Sequence, residues 1–328
     1  MEVALYHPQF GYYAQRGQRI GKAGDFVTSP TLSPVFSFAL SRVIREFLSR
    51  VPDGLTSIVD MGCGDGSLIH SLYVEGGQYF GVDRFPALGF ASDLARIAPN
   101  DAQLVICNEL FDALPFTRLV QRDEHLHELW VTDRDGELDW REHEAEARYD
   151  DYFSERSIEL SDGQFADVSL DWESMYDDIC RFVARGLIIT FDYGFPEQQL
   201  FSSRTRRFGT AAAYAGQQVS RDLLANPGAQ DLTAHINFTD LQRAGEHNGF
   251  TTLFFDRQAK FLLAAGATEH QLFKPLDELE GEDPLLLREQ REEARRLVLP
   301  DGIGEDIRVL VQGKGVPVDG WSFQRKLF

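Results

Sequence analysis

Cysteine is scarce in this chain. Cys63, Cys107 and Cys180 are the only three in 328 residues, and no two stand at a paired spacing. They suggest neither a disulfide framework nor a metal site, so no metal is expected and a reducing compartment is the default. Basic residues are also short, with 32 Lys and Arg against 52 Asp and Glu, for a formal net charge of −20. A surface of that sign repels phosphate backbones, so nucleic acid is not an expected partner; it suits a basic partner or simply solubility. No apolar run is long enough to span a bilayer, and no signal peptide or arginine-rich transit segment is visible. The expectation is a soluble, cytoplasmic protein with no membrane insertion. There is no internal repeat and no low-complexity tract. What the chain does have is 43% hydrophobic and 12% aromatic residues, enough for a sizeable core in one large or two moderate domains.

The stretch that organises the rest is Ser57 to Leu68, Ser-Ile-Val-Asp-Met-Gly-Cys-Gly-Asp-Gly-Ser-Leu. Ser57 to Met61 is short and apolar with a β-branched centre, and reads as a buried strand. Gly62, Gly64 and Gly66 follow at once, and Ser67 to Leu72 reads as the start of a helix. Glycine lets backbone approach a ligand closely. The spacing fits neither the dinucleotide fingerprint nor the P-loop. With Asp60 at the strand end it is D-x-G-x-G-x-G, which resembles the first motif of S-adenosylmethionine (SAM) methyltransferases. Tyr79 to Val82 is a second short strand. It ends at Asp83, 17 residues after Gly66, where a carboxylate can accept both ribose hydroxyls of an adenosine. The plainer alternative is a strand-to-helix turn with glycine for packing and Asp83 as a surface carboxylate.

In chain order, residues 1–50 read as an N-terminal cover, with a polar loop at Gly24 to Pro30 that includes Thr28 and Ser29 and a helix from Pro34 to Leu48. A helix is expected over Pro86 to Ala98, a strand over Gln103 to Cys107, and a hairpin or small sheet over 117–145. Residues 141–171 read as an acidic, exposed excursion. Asp171 to Ala184 reads as a helix and Leu187 to Phe191 as a strand. Residues 197–233 form a long excursion of the kind that often serves as a lid. Helices at Thr239 to Asn248, Lys260 to Ala265 and Pro284 to Leu297, and strands at Thr252 to Phe255 and Ile307 to Val311, complete the pattern. Apolar strands alternating with helices imply a doubly wound, parallel α/β sheet. The strand ends carry Asp60, Asp83, Asn108-Glu109 and Asp192-Tyr193, and that edge is where such sheets bind ligands.

Several stretches occur together and in order: Gly11-Tyr12-Tyr13, Gly24-Asp25-Phe26-Val27-Thr28-Ser29-Pro30, Asn108-Glu109-Leu110-Phe111-Asp112-Ala113-Leu114-Pro115, Asp192-Tyr193-Gly194, Gly209-Thr210 and Asp231-Leu232-Thr233-Ala234-His235. In these the chain resembles the MidA-type SAM-dependent methyltransferases, which include mitochondrial complex I assembly-factor enzymes. The resemblance implies a Rossmann-like, class I SAM-methyltransferase fold. It implies a cover over 1–50 and a catalytic domain over 51–328, with insertions near 117–170, 197–235 and 258–300. It also implies SAM as cofactor and arginine methylation of a protein substrate, a respiratory complex I subunit or similar. Cofactor residues would be Asp60, Gly62, Gly64, Gly66, Asp83, Asn108, Thr28 and Ser29. Catalytic residues would be Glu109, Asp112, Asp192 and His235. The chain departs from the family pattern at Asp60, Cys63 and Asp65 in the glycine loop, at Ala212 and Gln217 after Gly209-Thr210, and at Asn237. The short segment between Asp83 and Gln103 implies a reduced third strand.

Methyl transfer from a sulfonium needs mainly alignment and exclusion of water. A carboxylate pair can grip a guanidinium by bidentate bonds and accept its proton. Asp112 could equally cap a helix, and His235 could be a hydrogen-bonded structural histidine. Two other functions stay open. Asn108 at a strand end suits an amide, amine or small-molecule N-methyltransferase. The departures suit a weak or inactive assembly factor that binds a basic protein.

Overall fold

The computed structural model describes residues 1–15, 28–51, 54–72, 74–86, 89–98, 100–275, 283–300 and 302–326. The strands among them are β1 (Thr56–Met61), β2 (Gly77–Val82), β3 (Ala102–Asn108), β4 (Thr117–Arg122), β5 (His125–Arg134), β6 (Glu137–Glu144), β7 (Phe165–Val168), β8 (Gly186–Phe195), β9 (Ala212–Ala215), β10 (Gln218–Ser220), β11 (Asp231–Thr233), β12 (Ile236–Asn237), β13 (Thr251–Arg257) and β14 (Ile307–Lys314). The chain divides into two compact units. The insert unit is Met1–Gly17, Phe111–Glu173 and Gly194–Asp240; the sheet unit is Gln18–Leu110, Ser174–Tyr193 and Leu241–Phe328.

The sheet unit is built on strands in the order β13-β14-β8-β3-β1-β2. β2, β1, β3 and β8 pair in parallel, while β14 runs antiparallel to both β8 and β13. Every residue of β1 is buried, as are Ala102 to Cys107 of β3 and Gly186 to Asp192 of β8. Near-continuous apolar strands are what a sheet covered on both faces requires. The Pro34–Arg50 helix supplies part of the cover. Ser33 caps it by accepting from the Val35 N–H, and Pro34 sits where a missing N–H costs nothing. Its Val35, Phe36, Ala39, Leu40, Val43, Ile44 and Phe47 are fully buried in one core with Ile58, Leu104, Ile106, Leu187, Ile189 and Phe191. At about 1.5–3 kcal/mol per large apolar side chain, this helix face is a main source of the unit's stability. Phe191 is held edge-on by Phe36 at 5.0 Å and by Phe261 at 5.3 Å between ring centroids.

The expected helix over Pro86 to Ala98 does not form. Among the described residues of that stretch only Leu94–Arg96 makes a single 3-10 turn. The reason lies in the edge of β2. Ala91 N–H donates to Gly81 O at 2.9 Å, and Asp83 N–H donates to Ala91 O at 3.0 Å, so the segment is drawn into a parallel bridge between Val82 and Ala91. No strand lies between β2 and β3 among the described residues, in line with the short segment there. Its place beside β2 is taken by this bridge.

In the insert unit the described residues form a four-stranded sheet, β6-β5-β4-β7, and a three-stranded sheet, β10-β9-β11. The end of β8, Gly194 and Phe195, pairs in parallel with β12. Two expectations fail here. Residues 141–171 are no exposed excursion: they hold the end of β6, a helix over Ala147–Glu155, and β7. Tyr149, Tyr152 and Phe153 of that helix are buried with Leu119, Leu126, Ala166, Val168, Leu200 and Phe201. The spacing i, i+3, i+4 puts all three rings on one face, so the acidic residues between them point outward. Residues 197–233 contain a short helix, Glu197–Leu200, and the three-stranded sheet. The part of the polar loop from Gly24 to Val27 lies outside the described residues.

Candidate functional site

The sheet unit reverses its strand order at β1, with β2 on one side and β3 on the other. In open α/β sheets the crevice beyond the strand C-termini at such a point is the ligand site. Register places Met61, Val82 and Cys107 in one row. Gly62, Asp83 and Asn108 each stand one residue beyond it. Asn108 pairs with Phe191, so Glu109 and Asp192 each follow by one more. Asp83, Asn108, Glu109 and Asp192 therefore gather on one edge of the sheet.

The loop that leaves β1 is held in a conformation only glycine adopts freely. Gly62, Gly64 and Gly66 have φ of 74°, 53° and 80°. The N–H groups of Gly62 and Cys63 both donate to Val82 O, at 2.8 and 3.1 Å. Asp83 closes the clamp: its Oδ2 accepts from Gly64 N–H at 3.0 Å and its Oδ1 from Phe85 N–H at 2.8 Å. Asp65 Oδ1 takes the Ser67 N–H at 2.9 Å, which starts the Ser67–Ser71 helix. Sequence reasoning assigned Asp83 to a ligand and missed that it first pins the loop. It also missed Phe90. A Cβ on Gly66 would meet the Phe90 ring at 2.2 Å, and one on Gly81 would meet it at 2.6 Å. These two glycines make room for that ring.

Asp60 is 2% exposed, and its Oδ2 has no hydrogen-bond partner. Burial, reinforced by the neighbouring charges of Asp83 and Asp65, pushes its carboxyl up to about 8. Asn108 is likewise open: its Nδ2 donates to Glu109 Oε1 at 3.3 Å, and its buried Oδ1 has no partner. Glu109 itself sits at φ 50°, left-handed backbone that costs a non-glycine residue free energy. Its N–H donates to Phe191 O at 2.8 Å, which ties the strained residue to β8. Asp192 is fully buried, and its Oδ1 accepts from Tyr193 N–H at 2.8 Å.

Thr28 and Ser29 take a different position. Thr28 and Thr31 cap the Ser29–Leu32 helix reciprocally. Ser29 is fully buried, and its Oγ accepts from Gln258 Nε2 at 2.9 Å. Their helix packs beside the Ser67–Ser71 helix that follows the glycine loop. Asp112 and His235 belong to the insert unit, where the structure brings their segments together. Ala234 N–H donates to Asp112 O at 3.3 Å, and His235 N–H donates to Thr210 Oγ1 at 3.1 Å. Tyr13 donates to Asp231 Oδ1 at 2.8 Å and stacks on Tyr6, whose hydroxyl donates to Ala113 O at 2.7 Å. Motifs far apart in sequence, at 11–13, 112–115, 209–210 and 231–235, thus meet in one unit.

Asp60, the three left-handed glycines and Asp83 at the switch point of this sheet define a class I SAM-methyltransferase fold. Comparison with known proteins narrows the class. Residues 85–255 match the family described as "Putative S-adenosyl-L-methionine-dependent methyltransferase", and the chain belongs to that family. It is 26% identical to a candidate methyl transferase from Burkholderia thailandensis whose crystal structure holds S-adenosyl-homocysteine. The two superimpose with a TM-score of 0.85 over 99% of this chain and 89% of that one. Among curated relatives, the mitochondrial protein arginine methyltransferase NDUFAF7 homolog of Drosophila melanogaster is 24% identical over 303 residues, 76% of this chain. The mitochondrial protein arginine methyltransferase NDUFAF7 of Danio rerio is 30% identical over 105 residues, 32% of this chain. The chain spans 66% and 24% of the lengths of these two relatives.

The cofactor is SAM, and the residues fit it. The open atoms at the edge, Asp60 Oδ2 and Asn108 Oδ1, are acceptors. They suit a ligand that presents hydroxyls, an amino group and a positive charge. Among the described residues no group of His, Cys, Asp and Glu is arranged to hold a metal ion, and no helix is long and apolar enough to cross a membrane.

Proposed function

We propose that this protein transfers a methyl group from SAM to an arginine side chain of a protein. The observation that carries the proposal is the pair of buried, open acceptors, Asp60 Oδ2 and Asn108 Oδ1, at the edge where the glycine loop leaves β1. In this reading Gly62, Gly64 and Gly66 let the backbone approach the cofactor. Asp83 uses one lone pair on each oxygen for the loop and keeps the others for the ribose hydroxyls. Asp60, protonated near neutral pH in the unliganded protein, gives up that proton as the cationic part of the ligand comes to lie beside it. Bound SAM supplies a methyl on a cationic sulfur that leaves as a neutral thioether.

The chain's own work is alignment and exclusion of water, which together can lower a barrier by several kcal/mol, roughly 7–11 at best. Glu109, held in strained backbone, grips the guanidinium through paired hydrogen bonds and accepts its proton. Asn108 Oδ1 is kept for the cofactor, and Asp192 supplies a second carboxylate on the edge. Asp112 is the further carboxylate candidate for that grip, and His235 is assigned by the family resemblance. The names of the two curated relatives support arginine as acceptor, and the −20 charge supports a basic protein as substrate. A complex I subunit is the candidate the resemblance offers. One observation favours a second reading. An open carboxamide oxygen at Asn108 suits any amino nitrogen, so a small-molecule or amide N-acceptor is the alternative.

Incubation with tritiated SAM and host lysate, followed by mass spectrometry of the labelled species, tests the proposal. Label is expected on arginine. Glu109→Ala is expected to lose about a hundredfold or more of the transfer rate while still binding S-adenosyl-homocysteine. Label on a small molecule selects the alternative, and label nowhere leaves a binding protein.

A further inference from the structure

The hairpin of β5 and β6 leaves an apolar strip exposed. Register pairs Leu129 with Glu142, Val131 with Trp140 and Asp133 with Leu138. Opposed residues on antiparallel strands point to the same face, and residues two apart share it. Leu129, Val131, Leu138 and Trp140 therefore line one face, with Val131 48% and Leu138 37% exposed. On the other face Trp130 is 52% exposed, its ring 4.5 Å from that of His143. β6 is the terminal strand of its sheet, so its outer backbone groups meet no further strand among the described residues. Exposed edges of this kind accept an added strand.

Charge decides what fits there. Of the eight residues of β6, Glu137, Asp139, Glu142 and Glu144 are acidic and Arg141 is the one base. Arg122 is committed to Glu142. The turn adds Asp133 and Asp135 beside Arg134. A second copy would set these carboxylates against their own kind, and a nucleic acid would set phosphates against them; both are unfavourable. A basic polypeptide meets the apolar strip and the charge together.

We propose that this hairpin docks an extended, basic segment of a partner protein. The segment's apolar side chains lie on Val131, Leu138 and Trp140, and its arginine or lysine side chains, on the opposite face, meet Glu137 and Asp139. The inference goes beyond methyl transfer and holds whether or not the docked protein is the acceptor.

Fluorescence anisotropy of the full chain with labelled synthetic peptides tests it. A peptide alternating arginine with valine is expected to bind, and peptides alternating glutamate with valine, or arginine with serine, to bind about tenfold more weakly or worse. Val131→Asp, and separately the pair Glu137→Lys with Asp139→Lys, are each expected to weaken the arginine–valine peptide about tenfold. Leu285→Ser, an exposed position in the sheet unit, is expected to change nothing. Circular dichroism and S-adenosyl-homocysteine titration on the same samples verify that the variants fold. Wild-type affinity in both hairpin variants overturns the proposal, as does equal binding of all three peptides. Sedimentation showing a wild-type dimer that Val131→Asp converts to monomer also overturns it, because the strip then belongs to a second copy. Failure of the wild type to bind S-adenosyl-homocysteine sinks the methyl-transfer reading and leaves this one standing.

Discussion

Asp60 in the sheet unit and Asp240 in the insert unit are equally buried, each 2% exposed. Their surroundings are opposite. Asp240 accepts from Arg156 Nε at 2.7 Å, from Tyr152 Oη at 2.7 Å and from Asn237 Nδ2 at 2.9 Å. Asp167 in the same unit is similar: Arg118 donates to its Oδ1 at 2.8 Å, and the Thr210 and Ala211 N–H groups donate to its Oδ2 at 2.6 and 2.8 Å. Asp60 keeps an open oxygen and a raised carboxyl. A buried carboxylate whose lone pairs are used holds the fold together; one left open at the C-terminal edge of a parallel sheet is able to take a ligand. The difference also gives Asn237 a role beside Asp240. Here it donates to Asp240, which a second carboxylate could not do in its charged form.

The largest effect expected from this contrast is at Asp240. Asp240→Ala takes from the largely buried Arg156 its close counter-charge, leaving among the described residues only the exposed Glu155 at 3.7 Å, and removes the acceptor of Tyr152 and Asn237. It is expected to cost about 3–5 kcal/mol in urea unfolding, with the folded fraction still binding S-adenosyl-homocysteine. A loss under about 1 kcal/mol, the range of surface pairs, would erase the distinction. Asp60→Asn is expected to act in the opposite direction, as a stabilisation at neutral pH, and to act through pH. The folded carboxyl sits near 8 against an ordinary 3.8, so between those values the folded state holds a proton the unfolded state has released. Stability contributed by the neutral form is present at low pH and lost as pH rises through about 8. The melting temperature of the unliganded protein should therefore decline over that interval, and Asp60→Asn should flatten the decline. Parallel wild-type and variant curves would contradict the assignment.

Much of the sheet unit was legible because its signals are local. β1, β3 and β8 are apolar runs ended by polar residues, and the Pro34–Arg50 helix has its cap, proline and apolar face in sequence. The insert unit was harder to read. The helix carrying Tyr149, Tyr152 and Phe153 was masked by acidic composition, although its ring spacing was there to be read. The helix expected over Pro86 to Ala98 lost to a pairing with β2 that no local pattern announces. The candidate residues Asp60, Asp83, Asn108 and Glu109 were legible as strand-end polar groups on one edge. What could not be read was the state of each: the clamp made by Asp83, the open oxygens of Asp60 and Asn108, and the left-handed backbone of Glu109. These depend on neighbours distant in sequence. The meeting of the 11–13, 112–115, 209–210 and 231–235 motifs in the insert unit has the same origin.

The central claim is that the edge formed by Asp60, the glycine loop and Asp83 holds the adenosyl cofactor. Isothermal titration of S-adenosyl-homocysteine into the wild type and into Asp83→Ala tests it most directly. The account predicts saturable binding to the wild type and an affinity about tenfold weaker, or less, for the variant, since both the loop clamp and the hydroxyl acceptor are gone. No binding to the wild type, or equal affinity for the two proteins, would contradict it.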